Sequence, residues 1–496
     1  MGPGDRLFPL KKSGLQPRSA WPSCTACPKI RAPSQEACVA KKERPQVVIT
    51  EALCKGCGRC IEACPRHAIS MGDQINQTSG LVPVVIDRSI CNHCGLCVSA
   101  CPEPYGLDTS AYELEDPKHL YGEQPARPQP DDIPARRIPL PPLQPLLLKG
   151  NHAAAIGALL AGCRHVFGYP ITPSTEGAEL LAKLLPQLHG TFMQACSEVA
   201  TINHMYGTAG AGLPTMTFTS SPGFSLMLEG ISYLIGSQLP AVIINVMRPG
   251  PGLGFIGPEQ SDIKMLARGL GHGNTQAIVL APTSPQEMLD LTMLAFELSF
   301  KYRNPVIVAA DGFLGQITGR VSLPSAMIEP GLPGWAVWGD AAHQGNLNAS
   351  IFMDFDELEK HNLRLCDKYE LIRANEQRHL EYLADDAEIL IVACNTPARI
   401  AKRAVAELRR EGIKVGMFQP LTIWPFPIDA LSARLPQLRQ IVVVEASSGQ
   451  LENELRLAAH LADAKTPPIA HVHRMGGILP TGREIAEATR RCAEVN

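Results

Sequence analysis

The chain has 496 residues, of which 45% are hydrophobic, and its 48 acidic and 45 basic side chains leave a formal net charge of -3. This balance creates no strong field for nucleic acid or an anionic membrane, and no apolar run reaches the ~20 residues that cross a bilayer. The start of the chain lacks the apolar segment of a secretory signal, so we expect a cytoplasmic protein of about three or four domains.

Residues 1–45 have no hydrophobic periodicity and are predicted to form a flexible extension. Cys24, Cys27 and Cys38 lie in this stretch among Pro, Ser, Lys and Arg residues. Three thiols hold a metal ion only with outside help, so we interpret them as free thiols.

Residues 46–115 contain two matching runs of four cysteines, each spaced Cys-x2-Cys-x2-Cys-x3-Cys-Pro. This spacing is typical of a ferredoxin with two [4Fe–4S] clusters, in which the fourth cysteine of each run binds the other cluster. Zinc and disulfides are the alternatives, but zinc takes four ligands in two pairs and leaves the third cysteine of each run unexplained. The predicted ligands are Cys54, Cys57, Cys60 and Cys101 for one cluster and Cys91, Cys94, Cys97 and Cys64 for the other. The pattern therefore predicts low-potential electron transfer.

Five further cysteines are scattered through the rest of the chain, and we expect them to be buried structural thiols. They are Cys163, Cys196, Cys366, Cys394 and Cys492.

Proline density marks residues 116–145 as an extended, semi-rigid linker. Beyond it, apolar runs that read as buried strands alternate with helical patterns, which predicts a mostly parallel α/β domain over 146–335. A polar connecting arm over 336–385 leads to a second, smaller α/β domain over 386–496. The predicted strands are 165–169, 215–219, 241–246, 277–280, 305–310, 389–393, 415–418 and 441–444. The predicted helices are 176–185, 285–300, 397–411 and 450–462.

Three motifs lie at predicted strand-to-helix junctions, where α/β folds place their sites. In GYPITPSTE, Thr172 or Ser174 is left either to cap the next helix or to bind a ligand carboxylate. In CSEVATINH, Glu198 is either a helix-dipole partner or a proton-relay carboxylate. In NVMRPGPGLG, Arg248 suits bidentate capture of a substrate carboxylate. The glycine spacing supports neither a dinucleotide fingerprint nor a P-loop.

These motifs, together with TFTSSPGFSLMLEGISY and the C-terminal GMFQPLTIWPFP and VVVEASSGQLENELR, resemble the α subunit of 2-oxoacid:ferredoxin oxidoreductases over residues 146–490. The resemblance implies a pyrimidine-type, thiamine-diphosphate-binding parallel-sheet domain and a transketolase C-terminal-like α/β domain. A small ferredoxin-like α+β domain would precede them.

The resemblance also implies cofactors and residue roles. Glu198 matches the glutamate that hydrogen-bonds the aminopyrimidine ring of thiamine diphosphate, and Thr172 and Arg248 match residues near the substrate carboxylate. Ser174 is a further candidate for cofactor binding. We expect two [4Fe–4S] clusters, thiamine diphosphate, and coenzyme A as co-substrate.

One motif of thiamine enzymes is missing from the sequence. The diphosphate-binding Gly-Asp-Gly with a downstream Asn does not occur, and Asp311-Gly312 lacks that context. We therefore expect a β subunit to supply Mg²⁺ and diphosphate binding, with a γ subunit and ferredoxin as further partners. The chain by itself should be inactive.

The expected activity is oxidative decarboxylation of a 2-oxoacid to acyl-CoA and CO2 in anaerobic metabolism. The loop after Arg248 and the GLGHGN segment (269–274) resemble the branched-chain members of the family, which favours 3-methyl-2-oxobutanoate over 2-oxoglutarate. An aryl 2-oxoacid such as phenylglyoxylate or indolepyruvate stays open. The rival hypothesis is a catalytically silent electron-transfer or scaffold subunit. His152, His204 and His272 are expected to be satisfied polar or core histidines rather than acid–base groups.

Overall fold

A computed structural model describes residues 46–103, 106–108 and 135–494 of the chain. Cys24, Cys27 and Cys38, the predicted extension and most of the predicted linker lie outside the described residues. The chain divides into two compact units, Met1–Glu123 and Gln124–Asn496.

The first unit is built from short elements around two small antiparallel sheets, in which β1 pairs with β4 and β2 with β3. The elements are β1 (Val48–Ile49), α1 (Arg59–Glu62), β2 (Ile69–Met71), β3 (Val84–Ile86), α2 (Leu96–Ala100) and β4 (Leu107–Asp108). Both helices start after a glycine with positive φ, Gly58 at 77° and Gly95 at 78°. Only a residue without a Cβ adopts this turn at low cost, and the turn lets the preceding cysteines curl around one point.

The second unit begins with β5 and β6 and continues into alternating strands and helices. Its first part comprises β5 (Ala135–Pro139), β6 (Leu146–Lys149), α3 (Gly150–Leu160), β7 (His165–Gly168), α4 (Thr175–Leu184), β8 (Thr191–Gln194), α5 (Glu198–Gly210), β9 (Thr215–Thr219), α6 (Ser221–Gly236), β10 (Ala241–Met247), α7 (Ile263–Arg268), β11 (Ile278–Leu280), α8 (Pro285–Tyr302), β12 (Pro305–Asp311), α9 (Gly312–Gln316), β13 (Thr318–Val321) and β14 (Ala326–Pro330). Its second part comprises α10 (Phe355–Asn375), β15 (His379–Tyr382), β16 (Ile389–Val392), α11 (Asn395–Arg410), β17 (Val415–Pro420), β18 (Thr422–Trp424), α12 (Ile428–Arg434), β19 (Gln440–Glu445), α13 (Gln450–Leu461), β20 (Ile469–His473) and α14 (Gly482–Glu494).

The main sheet has seven strands in the order β18-β11-β12-β10-β9-β7-β8. Six strands run parallel, and β18, from the second α/β region, adds an antiparallel edge beside β11. The second sheet has the order β15-β17-β16-β19-β20, with only β15 antiparallel. The α/β prediction is confirmed. The central strands β10 and β12 are buried along their whole length, which is typical of parallel strands that are covered by helices on both faces of the sheet.

Two segments are more ordered than the sequence predicts. Residues 135–139, assigned to the linker, form β5 and pair with β14. An extended proline-rich segment can still form an edge strand, because proline is tolerated where its missing N–H faces solvent. Residues 355–375, assigned to the connecting arm, form the 21-residue helix α10, capped by Asp354, whose side chain accepts from the Glu357 N–H. Its buried positions are spaced at helical intervals, but its charge-rich sequence hides that stripe.

The scattered cysteines do not all follow the prediction of buried thiols. Cys163 and Cys394 are buried, and burial raises the pKa of the Cys163 thiol to about 12. Cys196 and Cys366 are exposed, so the prediction is wrong for them. Cys196 lies in the loop between β8 and α5, and Cys366 follows the buried Leu365 on α10 and is turned outward by the helical period. Cys492 is half-buried.

In the part of the chain that the structure describes, no helix combines the length and apolar character required to cross a membrane.

Candidate active site

Thr172, Glu198 and Arg248 lie at the same edge of the main sheet. Thr172 follows β7, Glu198 follows β8 and Arg248 follows β10, and these strands all run in one direction. Only β9 separates β7 from β10. The carboxyl ends of parallel strands are where such sheets place their ligands, so the fold gathers the sequence-predicted residues where chemistry is expected.

Arg248 is a buried cation, with 7% of its surface exposed. Its Nη1 donates to the Thr172 carbonyl at 2.8 Å, and its Nη2 donates to the Leu253 carbonyl at 3.1 Å. Its Nε is buried without a hydrogen-bond partner among the described residues. A buried guanidinium with an unpaired N–H is disfavoured, so this position is suited to an anionic ligand that accepts from it.

The Thr172–Ser174 turn is held by its backbone. The Pro173 carbonyl accepts from Asn151 Nδ2 at 2.8 Å and from Gln316 Nε2 at 3.2 Å, and Asn151 is fully buried. The Ser174 hydroxyl donates to the Ile171 carbonyl at 2.8 Å and makes no cap bond to α4, so the helix-cap interpretation is wrong. The Thr172 side chain is exposed at this edge.

Glu198 is the first residue of α5, yet it does not cap that helix. Ser197 does so, since its hydroxyl accepts from the Ala200 N–H at 3.3 Å. The Glu198 side chain is buried, 4% exposed, and it packs against the first turn of α6, where a Cβ on Gly223 would lie 2.4 Å from Oε1. The close glycine gives the carboxylate room that any other residue would fill.

Two buried hydroxyls at the end of β9, those of Thr219 and Ser220, were missed by sequence reasoning. The same Cβ on Gly223 would lie 2.5 Å from Thr219 Oγ1, so this hydroxyl neighbours the carboxylate. Thr219 Oγ1 and Ser220 Oγ are fully buried and have no hydrogen-bond partner among the described residues. Buried polar atoms are normally paired, so these hydroxyls fit a polar ligand such as the aminopyrimidine of thiamine diphosphate. The signal was present in TFTSSPG, where a strand ends in consecutive hydroxyl residues before a helix.

The expectation of satisfied core histidines is wrong for His204 and His272. The His204 ring is half-buried and stacks on Phe167 with centroids 5.4 Å apart, but its Nδ1 has no hydrogen-bond partner among the described residues. His272 is exposed, and its Nδ1 lies 3.4 Å from the Ser232 hydroxyl.

Asp311, the aspartate considered for diphosphate binding, uses its carboxylate for hydrogen bonds within the chain. Its Oδ1 accepts from the Phe313 and Leu314 N–H groups and from Thr396 Oγ1, and its Oδ2 accepts from the Thr396 N–H, all within 3.0 Å. Burial raises the pKa of this carboxyl, and the hydrogen bonds oppose that rise. Asp311 therefore joins the start of α9 to the start of α11.

The eight predicted cluster thiols of the first unit line two cavities, four thiols in each. Each cavity is lined by the first three cysteines of one run and the fourth cysteine of the other run. One contains Cys91, Cys94, Cys97 and Cys64, and the other contains Cys54, Cys57, Cys60 and Cys101.

Backbone N–H groups point at these sulfurs, from Ala68 to Cys64 Sγ at 3.3 Å and from Val84 to Cys54 Sγ at 3.5 Å. Burial raises the pKa of the Cys60 thiol to about 11, and a metal cation bound beside it would favour the thiolate. Four converging sulfurs are the donor set that a [4Fe–4S] cluster requires.

Comparison with known proteins agrees with this geometry. Residues 156–331 match the model of the pyruvate flavodoxin/ferredoxin oxidoreductase thiamine-diphosphate-binding family. Residues 387–485 match the pyruvate:ferredoxin oxidoreductase core domain II, and residues 53–104 match a 4Fe-4S dicluster domain. These domains define an oxidoreductase that combines thiamine diphosphate with iron–sulfur clusters.

The sequences of individual relatives show more specifically which family of oxidoreductases the chain belongs to. The chain is 48% identical over 349 residues to the ketoisovalerate oxidoreductase subunit VorB of Methanothermobacter thermautotrophicus, covering 70% of this chain and 97% of that one. It is 33% identical over 366 residues to the 2-oxoglutarate synthase subunit KorA of the same organism, covering 68% and 96%. The chain belongs to the 2-oxoacid:ferredoxin oxidoreductase family. These relatives are subunits of larger enzymes.

A solved structure is similar as well. It is the 2-oxoglutarate:ferredoxin oxidoreductase of Magnetococcus marinus with 2-oxoglutarate, coenzyme A and succinyl-CoA bound. The TM-score is 0.62 and the identity 26%, over 70% of this chain and 65% of that chain.

Proposed function

We propose that this chain is the α subunit of a CoA-dependent oxidoreductase that converts 3-methyl-2-oxobutanoate, a branched-chain 2-oxoacid, to its acyl-CoA. The observation that carries the proposal is Arg248, a buried cation at the carboxyl edge of the sheet whose Nε has no hydrogen-bond partner among the described residues. The reaction breaks the C1–C2 bond of the 2-oxoacid, forms a thioester with CoA–SH, and releases CO2, one proton and two electrons.

The substrate choice rests on the relatives. Identity to the ketoisovalerate subunit is 48%, against 33% to the 2-oxoglutarate subunit. Ketoisovalerate is 3-methyl-2-oxobutanoate, so this difference favours a branched side chain over a second carboxylate. 2-Oxoglutarate is the second candidate substrate.

Three residues of this chain would act on the substrate and the cofactor. Thiamine diphosphate supplies the nucleophilic carbon for cleavage next to a carbonyl. Glu198 would hold a proton at the aminopyrimidine, and its burial keeps competing water away from that carboxylate. Arg248 would bind the substrate carboxylate and the Thr172 hydroxyl would orient it, so that the carboxylate leaves as CO2. Ser174 is already bonded to Ile171 and would act only by shaping the turn.

A partner chain would complete the site. The diphosphate motif is missing from the sequence, and the Asp311 carboxylate is used internally. We infer that a β subunit supplies Mg²⁺ and diphosphate binding, and that a γ subunit and ferredoxin complete the assembly. A cytoplasmic location fits the many reduced thiols.

The first unit would carry two [4Fe–4S] clusters with crossed ligand sets. One would be held by Cys54, Cys57, Cys60 and Cys101, and the other by Cys91, Cys94, Cys97 and Cys64. This assignment is supported by the two cavities, since three thiols of one run and one thiol of the other run line each of them. The clusters would pass the two electrons to ferredoxin. The rest of the chain would divide as predicted, with a pyrimidine-binding domain at 146–335 and a transketolase-like domain at 386–496.

The test uses the complex assembled with its partner subunits under anaerobic conditions. We expect Glu198→Gln to lower kcat for CoA-dependent viologen reduction by about 10²–10⁴-fold, because the glutamine cannot hold the proton. Glu376→Gln is the matched control, since Glu376 is also a buried carboxylate but is held by Lys301, Tyr302 and Arg378. Undiminished activity in Glu198→Gln would favour the silent-scaffold alternative.

Substrate identity is tested with the same complex. We expect kcat/KM to be highest for 3-methyl-2-oxobutanoate, compared with 2-oxoglutarate and phenylglyoxylate. A higher value for either competitor would replace the proposed substrate.

A further inference from the structure

A second buried carboxylate, Asp262, lies close behind Arg248. Asp262 is 6% exposed and precedes α7, but its side chain makes no cap bond to that helix. Its Oδ2 instead accepts from Ser221 Oγ at 2.5 Å and from Asn245 Nδ2 at 2.9 Å. Burial raises the pKa of this carboxyl, while the bonds from Ser221 and Asn245 and the charge of Arg248 oppose the rise. A buried carboxylate is unfavourable without such partners, so its placement requires a reason other than helix capping.

Ser221 connects this carboxylate to the backbone of Arg248. The Arg248 N–H donates to Ser221 Oγ at 2.9 Å. The serine has one hydroxyl proton, and the 2.5 Å bond directs it to Asp262 rather than to the Arg248 carbonyl at 3.2 Å. That carbonyl accepts from Ser261 Oγ at 2.9 Å instead. The backbone N–H and the backbone carbonyl of Arg248 are therefore both hydrogen-bonded to serine side chains.

These hydrogen bonds to the Arg248 backbone matter because Arg248 is the first residue after strand β10. Strand β10 ends at Met247, and the chain continues as Pro-Gly-Pro-Gly-Leu-Gly. Leu253 in that loop is 80% exposed. An arginine side chain has many rotamers, so its guanidinium is placed accurately only if its own backbone is fixed. Strand pairing fixes the residues before Arg248, and Asp262 with Ser221 fixes Arg248 itself.

We propose that Asp262, acting through Ser221, is a positioning residue that sets Arg248 for the carboxylate of the 2-oxoacid. The inference rests on the proposed role of Arg248 in substrate binding. Because the Ser221 and Asn245 bonds end on the same oxygen, the amide oxygen of an asparagine can accept both. The role therefore depends on an acceptor at this point and not on the negative charge.

The experiment measures KM and kcat in the assembled complex for Ser221→Ala, Asp262→Ala and Asp262→Asn. We expect Ser221→Ala and Asp262→Ala to raise KM for the 2-oxoacid by about tenfold, the effect of losing one buried hydrogen bond. The kcat value and KM for CoA should change less than about twofold, since chemistry after binding is intact. Asp262→Asn should restore most of the loss.

Several results would overturn the inference. An unchanged KM in both Ser221→Ala and Asp262→Ala would do so, as would equal losses in Asp262→Asn and Asp262→Ala. A fall in kcat and thermal stability with KM unchanged would show a merely structural role. If Asp262→Ala does not assemble, Ser221→Ala and Asp262→Asn carry the test. The buried-carboxylate control Glu376→Gln should leave KM unchanged.

Arg248→Lys separates this inference from the proposed function. A lysine lacks the planar fork, so KM for the 2-oxoacid should rise. A rise in Arg248→Lys with normal Ser221→Ala and Asp262→Ala would overturn only the positioning role. An unchanged KM in Arg248→Lys would overturn both.

Discussion

The guanidinium of Arg248 donates a 2.8 Å hydrogen bond to the backbone carbonyl of Thr172. Arg248 follows strand β10 and Thr172 follows strand β7, and these strands flank β9, so the bond spans the end of the intervening strand. Because the acceptor is a carbonyl, the side chain of Thr172 takes no part in the bond. The anchor of Arg248 and the hydroxyl of Thr172 can therefore be tested separately.

Thr172→Val tests the hydroxyl. Valine has nearly the same shape and keeps the carbonyl that Arg248 uses, so Arg248 should stay in place. We expect KM for the 2-oxoacid to rise by about tenfold, the effect of one hydrogen bond to a charged group. Steady-state kinetics of the assembled complex measures this change. Thr172→Ser keeps a hydroxyl and should behave much like the wild type. Equal KM values for all three proteins would exclude contact between this hydroxyl and the substrate.

Gly223→Ala tests the space around Glu198. The added Cβ would lie 2.4 Å from Glu198 Oε1 and 2.5 Å from Thr219 Oγ1, closer than real Cβ atoms approach. The carboxylate must move, and a displacement of about 1 Å in a catalytic group can lower kcat by about 10²-fold. Viologen reduction by the complex gives the rate.

Gly207→Ala is the matched control for this prediction. Gly207 is exposed in the interior of α5, and nothing lies within 4 Å of an added Cβ. The alanine should raise stability by about 0.5–1 kcal/mol without lowering kcat. If Gly223→Ala kept full activity, Glu198 would not need its present position.

Double variants test the crossed cluster ligands through iron content. Cys64 and Cys94 line one cavity, and Cys57 lines the other. If Cys64 and Cys94 bind the same cluster, Cys64→Ala with Cys94→Ala should lose no more iron than the worse single variant. Cys64→Ala with Cys57→Ala should lose the sum of its two single variants, up to about eight iron atoms.

Iron analysis and electron paramagnetic resonance of the anaerobically purified chain measure these losses. Cys366→Ala, at an exposed thiol outside both cavities, is the control and should keep all the iron. An additive loss in the Cys64 and Cys94 pair would contradict the crossed assignment.

His471 makes the stability of the second α/β region depend on pH. Its Nε2 lies 2.8 Å from Glu445 Oε1 and its Nδ1 lies 3.3 Å from Glu452 Oε2. The hydrogen bond to Glu445 raises the pKa of His471, with burial opposing, and the charge of Glu452 adds to the rise while Arg456 opposes it. The raised pKa favours the charged ring in the folded state. Its stabilisation is therefore full below the ordinary histidine pKa of about 6.5 and is lost as the pH rises through the raised value.

Thermal unfolding of the wild type and His471→Gln at pH 6 and pH 9 measures this dependence. The difference in unfolding midpoint should be larger at pH 6. His460→Gln, at an exposed histidine on α13, should show no such change between the two pH values. A difference that grows towards pH 9 would contradict the prediction.

Much of the element pattern could be predicted from the sequence because it is local. The strand at Thr215–Thr219 has its predicted bounds, and the helix predicted over 285–300 begins at Pro285, where the Ser284 hydroxyl caps it by accepting from the Glu287 N–H. The Glu287 carboxylate accepts from the Thr283 N–H and not from the Ser284 N–H. That choice depends on side-chain geometry, which a spacing pattern does not contain.

The sequence by itself determined the two cysteine runs, the α/β alternation, and the positions of Thr172, Glu198 and Arg248 at strand ends. Each of these depends on neighbours only a few residues away in the chain. Only the tertiary structure decided that Arg248 bonds to a carbonyl 76 residues away and that Asp262 bonds to a serine 41 residues away. Strand order arises from packing of the whole sheet, which places β9 between β7 and β10, and no local pattern encodes that order.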